Sequence, residues 1–365
     1  MTTTPFLPLG PEFPWLAPLA GFSDLPFRLL CREAGAAVAC TEMVSAKGLI
    51  YGLKSKEKSG GTEDLLVTVQ GDNPLVVQLF GEDPDFLSAA VSLLRERGHV
   101  FFDLNMGCSV PKVCRTGAGA ALLRDPANAL KVATAMIQAA GEGRAGCKIR
   151  LGWDAHSSIY LDLAKGLEDA GAAWICLHPR YARQGFGGKA DIAALEKLAG
   201  SVRIPVIASG DLFTAEDGIA VLQTGVQGVM FARGALVNPT VFRRFRLLLA
   251  GGTAPAAPAP EELLLLIQRH GQLAREYSPC RAEGKKRGRR RAVTEERDPA
   301  LMKMRTVVPR YVRHLPGAKQ LRLALSRCVS WDELDILLDS FFARFRQCRN
   351  EEEAGHSFYD GGLVS

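Results

Sequence analysis

The sequence predicts an α/β chain: a (β/α)8 TIM barrel followed by a small all-helical C-terminal domain. Three observations carry this. From residue 15 to about 250, a short apolar run closed by Gly or a polar residue alternates with an amphipathic helix, and the unit recurs eight times over about 235 residues. Residues 251–260, Gly-Gly-Thr-Ala-Pro-Ala-Ala-Pro-Ala-Pro, read as a linker. Beyond it every periodic stretch is helical. A doubly wound sheet is the structural rival, but it has fewer units.

The strands expected in order are Trp15–Gly21, Ala37–Val44, Leu75–Gly81, Val100–Met106, Gly146–Gly152, Trp174–His178, Pro205–Asp211 and Gly228–Gly234. Each is short, rich in apolar residues and bounded by turn formers. Helices are expected at Leu25–Ala34, Pro84–Arg97, Pro126–Ala140, Ile159–Ala170, Ile192–Leu198 and Ala215–Gln223. Asp125 before Pro126, and Thr214 before Ala215-Glu216-Asp217, are start signals, because their side chains can accept from unpaired first-turn N–H groups. The polar stretch 52–64 reads as a long, solvated connection. Residues 1–250 would form the catalytic barrel. Residues 261–349 would form a helical domain over Glu261–Tyr277, Ala300–Leu315, Ala318–Cys328 and Trp331–Arg346, and 350–365 a disordered tail.

Composition narrows the class. The 365 residues are 47% hydrophobic and 23% charged, with a formal net charge of +6. No apolar run of about 18 residues is present, so no membrane helix is expected, and Met1–Pro14 does not read as a secretory signal. Nine scattered cysteines with no CxxC pair argue against a disulfide framework, a zinc site or an iron–sulfur cluster. The chain therefore reads as a cytoplasmic protein with reduced thiols and no metal. The bases cluster late: Arg281–Arg291, then Lys303, Arg305, Arg310, Arg313, Lys319, Arg322, Arg327, Arg344 and Arg346. Such a surface suits a polyanion.

Each expected strand ends in residues able to do chemistry: Pro18-Leu19-Ala20, Glu42, Gln78, Asn105 with Cys108, Lys148 with Arg150, His178 with Arg180 and Arg183, Ser209-Gly210-Asp211, and Ala232-Arg233. In a barrel that end is the active face. Small residues after the last two strands, with Arg233, could present backbone N–H groups and a charge to a phosphate. Lys148 and His178 could hold the electron-rich edge of a ring cofactor. Taken alone, Cys108 is as readily a small buried cysteine as a catalytic one, Lys148 could be paired inside the barrel with Glu42, and His178 could be a hydrogen-bonded core histidine.

Together these segments resemble the dihydrouridine synthase family of flavin-dependent tRNA-modifying enzymes. The likeness rests on Ala17–Arg28, Thr41–Lys47, Val77–Gly81, Asp103–Lys112, Lys148–Trp153, Leu177–Phe186, Val206–Asp211 and Gly228–Pro239, in family order. Leu315–Lys319 is most like the bacterial B-type subgroup. The resemblance implies tightly bound FMN, held by Pro18, Leu19, Ala20, Gln78, Lys148, His178, Ser209, Gly210, Asp211, Ala232 and Arg233. It implies Cys108 as proton donor, and Asn105, Lys112, Arg115, Arg180 and Arg183 near the uridine and its phosphates. It further implies NADPH as reductant, tRNA as substrate and a monomer. The family's usual Gly-Cys-Pro is here Gly107-Cys108-Ser109-Val110-Pro111. Asn is usual where Ser209 stands, and Gly where Ala232 stands.

A barrel oxidoreductase acting on a free pyrimidine and a non-catalytic RNA-binding protein are the competing readings. A basic helical domain is unnecessary for the first, and Cys108 with Lys148 for the second. The target uridine, and NADPH over NADH, are not legible in the sequence.

Overall fold

The computed structural model describes residues 6–54, 61–253, 257–277 and 298–356. The basic run 281–291 lies outside them, as do residues 55–60 of the polar connection. The chain divides into two compact units, Met1–Ala235 with Pro239–Ala254, and Leu236–Asn238 with Pro255–Ser365.

The first unit is built on nine short strands: β1 (Trp15–Leu16), β2 (Val38–Cys40), β3 (Val44–Ser45), β4 (Leu75–Phe80), β5 (Phe101–Met106), β6 (Ala145–Arg150), β7 (Ile175–His178), β8 (Val206–Ser209) and β9 (Gly228–Phe231). All pair in parallel. The order runs β2-β1-β9-β8-β7-β6-β5-β4-β3, and β2 also pairs with β4, which closes the sheet. Because β2 and β3 both lie against β4, they are two pieces of one strand, and the barrel has eight positions. Cys40 is level with Val76 and Val44 with Leu79. Four steps along one strand thus match three along its neighbour, so one extra residue is accommodated among Thr41, Glu42 and Met43.

The strands are shorter than the apolar runs suggest. Trp15–Gly21 leaves the sheet after Leu16, and Pro205–Asp211 after Ser209. The remaining residues of each run bend over the barrel rim, which is where their polar groups are needed. Inside, Trp15, Val38, Cys40, Val76, Phe101, Trp174, Cys176, Ile207 and Met230 form one buried cluster, with Leu7 packed among them. The rings of Trp15 and Trp174 lie 5.6 Å apart. Burial of these large side chains closes the lower barrel, so nothing can pass through it.

The outer helices start as expected. The side chains of Asp24, Asp83, Asp125 and Asp191 accept first-turn N–H groups. Thr214 and Asp217 form a reciprocal capping box. Part of the polar connection is helical, since Ala46–Lys54 forms a helix that the glycines at 48 and 52 obscure in the sequence. A buried ion pair ties the first helix to the loop before β4. Arg28 Nε and Nη2 donate to Asp72 at 2.9 and 2.8 Å, with the two side chains 1% and 0% exposed.

The second unit contains helices Pro260–Tyr277, Pro299–Tyr311, Ala318–Leu325 and Trp331–His356. The last continues ten residues past the expected Arg346, so residues 350–356, read as disordered tail, are helical in backbone. Leu263, Ile267, Met304, Val308, Tyr311, Leu325 and Leu338 form the buried side of these helices.

Candidate active site

Every candidate residue of the barrel lies in the C-terminal half of a strand or in the segment after it. The centre is a hydrogen-bonded row across β4 and β5. Trp174 Nε1 and Gln78 Nε2 donate to the two carboxylate oxygens of Asp103 at 3.3 and 2.7 Å. Asn105 Nδ2 donates to Gln78 Oε1 at 2.7 Å. Asn105 Oδ1 then accepts from the backbone N–H groups of Gly107 and Cys108 at 3.2 and 2.9 Å. The row is buried, with Gln78 0%, Asp103 1% and Asn105 5% exposed. Gln78 and Asn105 thus spend their amides on neighbours and on the cysteine loop. Burial pushes the Asp103 carboxyl up to about 7, against the Gln78 hydrogen bond, the Lys148 charge and the Trp174 N–H.

The loop that follows carries Cys108. Its carbonyl accepts from Ala120 N at 2.9 Å and from the Cys114 thiol at 3.4 Å. Gly119 has φ +63°, and a Cβ there would sit 2.8 Å from that same carbonyl oxygen, so only glycine permits the approach. Pro111 opens the short helix Pro111–Cys114 after an extended Val110. Proline suits a first helical position, where no N–H partner is needed. The unusual Cys-Ser-Val-Pro order therefore yields a helix start one turn beyond the thiol. Burial pushes the Cys108 thiol up, opposed by a backbone hydrogen bond and by the Arg150 charge. Lys112 is exposed, and the cation acting on Cys108 is Arg150.

On β6 to β9 the rim is strongly cationic. Arg150 Nε donates to Gly107 O at 2.7 Å, and its Nη1 to Tyr181 O and Gly185 O at 3.1 and 3.0 Å. Arg180, expected beside the uridine, is 1% exposed, and all five of its N–H groups are spent within the protein. They reach Gly187 O, Gly188 O, both oxygens of Asp211 and His178 Nε2. Asp211, at φ +54°, also takes Arg233 Nη2 at 2.8 Å and Ala190 N at 2.9 Å. These contacts, Arg180 foremost, hold its carboxyl down to about 2.

His178 sits against Gly210, where φ is +99° and a Cβ would lie 2.5 Å from the ring. Burial, and then Lys148, Arg150, Arg180 and Arg233, drive its pKa down to about 2. The ring is therefore neutral, and with Nε2 facing an Arg180 donor its proton belongs on Nδ1. Four cations thus surround a neutral imidazole, and Asp211 is the carboxylate ion-paired to two of them. Lys148, half-buried, makes no ion pair among the described residues. The Arg233 guanidinium lies 4.6 and 4.7 Å from the rings of Phe186 and Phe213.

Pro18 and Leu19 are half-buried and Ala20 exposed in the turn after β1, Ser209 is buried at the end of β8, and Ala232 is half-buried after β9. The side chains of Lys112, Arg115 and Arg183 are exposed on their loops and take no part in these networks. Sequence reasoning set Arg150 at a strand end without giving it a specific task, and gave Phe186, Phe213 and Gly119 no role. The signal for Arg150 was its position two residues after Lys148 on one strand, which puts both on the same face.

In the helical unit, Arg305, Thr306, Pro309, Arg310, Arg313 and Arg322 line a groove of about 370 Å³. It gathers four of the bases that the sequence scatters over 18 positions.

Residues 15–346 match the family model described as Dihydrouridine synthase (Dus). The chain belongs to the dihydrouridine synthase family. Among its dihydrouridine synthase relatives, "Probable tRNA-dihydrouridine synthase 1" of Synechocystis is 34% identical over 334 residues, covering 91% of this chain and 87% of that protein. The "tRNA-dihydrouridine synthase B" of Pseudomonas aeruginosa is 33% identical over 330 residues, covering 90% and 92%. Of solved structures, a morphinone reductase in complex with tetrahydroNAD aligns with TM-score 0.48 at 13% identity, over 70% of this chain and 91% of that one.

Proposed function

We propose that this dihydrouridine synthase reduces the C5–C6 double bond of uridine in tRNA to 5,6-dihydrouridine, with FMN as resident flavin, NADPH as its reductant and Cys108 as the proton donor to C5. The observation that carries the reading is the pairing of a protonated thiol in the loop after β5 with an under-neutralised cationic rim on β6 to β9. Of the four cations around His178, only Arg180 and Arg233 are ion-paired to Asp211, and Lys148 makes no ion pair among the described residues. Such a rim favours a bound anion, and the phosphate and the N1–O2 edge of FMN supply two.

The residues present fit that group. Lys148, the Nδ1–H of neutral His178 and Arg233 would face its electron-rich parts, while the turn at Pro18–Ala20 and the residues Ser209-Gly210 and Ala232 would border it. Asp211 would act on it indirectly, by fixing Arg180 and Arg233. When bound and reduced, the flavin supplies the hydride to C6. Cys108 gives its thiol proton to C5 as negative charge develops there, and the thiolate is reprotonated from water. Burial keeps the thiol in the form this requires. Asn105 holds the loop that carries it. Reaching a base inside tRNA requires the base to leave its stack. Lys112, Arg115 and Arg183, with the basic groove of the helical unit, would hold the surrounding phosphates. The protein would work as a cytoplasmic monomer.

The test is direct. Purified protein should carry a yellow flavin spectrum, oxidise NADPH faster with unmodified tRNA, and raise the mass of a tRNA uridine by two hydrogens. A colourless protein that takes up no FMN overturns the reading. Turnover on free pyrimidines but not on tRNA would transfer it to a small-molecule reductase.

A further inference from the structure

We infer that Asp103 is a positioning residue: its carboxylate fixes the orientation of the Gln78 and Asn105 amides, and through them the backbone that carries Cys108. This rests on the proton-donor role proposed above, and extends it to a residue without contact to the thiol.

The argument is one of donors and acceptors. An amide side chain can face a neighbour with its oxygen or its NH2, and nothing in its shape decides which. A carboxylate can only accept. Asp103 takes Trp174 Nε1 on one oxygen and Gln78 Nε2 on the other. Gln78 must therefore turn its NH2 toward position 103 and its carbonyl toward Asn105. Asn105 must in turn present its NH2 to Gln78, which leaves Oδ1 aimed at the N–H groups of Gly107 and Cys108. Reversing any one amide would set donor against donor at the loop or acceptor against acceptor at Asp103. The row is too buried for water to repair such a mismatch cheaply. A charge on β5 thus decides whether two backbone N–H groups a few residues beyond it find a partner.

The sequence shows Asp103 only as a polar interruption in an apolar strand. A carboxylate that served the fold alone would need only its own two donors, with no dependence of the cysteine loop on it. The inference differs by requiring a direction along the row, and direction can be reversed and restored.

The experiment uses the full chain at about pH 8, where the carboxylate form prevails. Amide hydrogen exchange is followed at Gly107 and Cys108, and iodoacetamide alkylation at the Cys108 thiol. In Asp103→Asn, the new NH2 opposes that of Gln78, so exchange at the two amides should speed up by about tenfold or more, with alkylation of Cys108 altered in rate. In the double variant Gln78→Glu with Asp103→Asn, the carboxylate has moved one place along the row. The amide introduced at position 103 can donate to it from one side and Asn105 from the other, so Asn105 keeps its orientation and wild-type protection should return. Unchanged exchange in a folded Asp103→Asn protein overturns the inference, and so does a double variant that stays unprotected or fails to fold. If the single variant does not fold while the double folds with wild-type protection, the inference stands. Neither readout needs turnover. A row that behaves in this way in a protein making no dihydrouridine would remove the proposed function and leave the positioning role intact.

Discussion

Arg150 Nε reaches across from β6 to hold the carbonyl oxygen of Gly107 at 2.7 Å. The same guanidinium ties Tyr181 and Gly185, so one side chain braces the cysteine loop against the loop after β7. Its charge also lowers the Cys108 pKa, against the larger effect of burial. Arg150→Ala should therefore shift Cys108 alkylation to higher pH and speed proteolytic cutting in 107–117. A pH–rate profile for iodoacetamide checks the first, and limited proteolysis the second.

Cys108→Ala should retain the flavin spectrum and lose most dihydrouridine formation, on the order of a hundredfold or more for a missing general acid. In the intact protein the thiol works protonated. Activity should then fall as pH rises through its pKa, and burial places that fall above the range of an ordinary thiol. Nucleoside mass spectrometry across a pH series reads both.

Asp211 stabilises the folded state in one pH window. Its folded pKa is depressed to about 2, below the ordinary carboxylate value. Its contribution is therefore complete above about pH 4 and lost as pH falls through about 2. Asp211→Asn should lower the urea midpoint at neutral pH, and the gap from wild type should narrow in acid. Urea unfolding at several pH values measures the gap.

Much of this was legible in the sequence, and the rest was hidden for identifiable reasons. Strand order, helix caps and the rim position of each candidate follow from apolar periodicity and the turn residues, because both are local signals. The internal ties of Arg180 were hidden because its partners, Asp211 and the carbonyls of Gly187 and Gly188, come from the next strand end and a folded-back loop. The helix at Ala46–Lys54 was hidden by its two glycines, whose unfavourable propensity is overcome by packing against the helix at Pro84–Glu96. The direction of the amides at 78 and 105 depends on three strands and has no linear signature.

Arg28→Leu should be severe for stability alone. It leaves Asp72 buried without its cation, and also frees the carbonyls of Ser23 and Val67. Loss of one member of such a pair costs about 3–5 kcal/mol. Guanidinium melts should show that loss, and at temperatures where the variant stays folded its thiol chemistry at Cys108 should match wild type.

Salt should discriminate the two cationic regions. Removing an exposed base such as Arg322 or Lys112 should lower the salt slope of tRNA affinity by about one per charge. Filter binding at several salt concentrations gives the slope.

The extra residue between Cys40 and Val44 inverts the parity of the second barrel strand. Val38 and Cys40 point into the core, and an unbroken strand would send position 44 inward as well. The register instead sets Val44 level with Leu79 and Ser45 level with Phe80. Even-numbered residues face the interior below the break, and odd-numbered ones above it. In the gap, Thr41 Oγ1 takes the Gln78 N–H at 3.0 Å, replacing a ladder bond, and the Met43 sulfur meets Asn105 Nδ2 at 3.1 Å. One residue of slack thus lets an otherwise continuous wall turn two side chains toward the row that ends at Cys108.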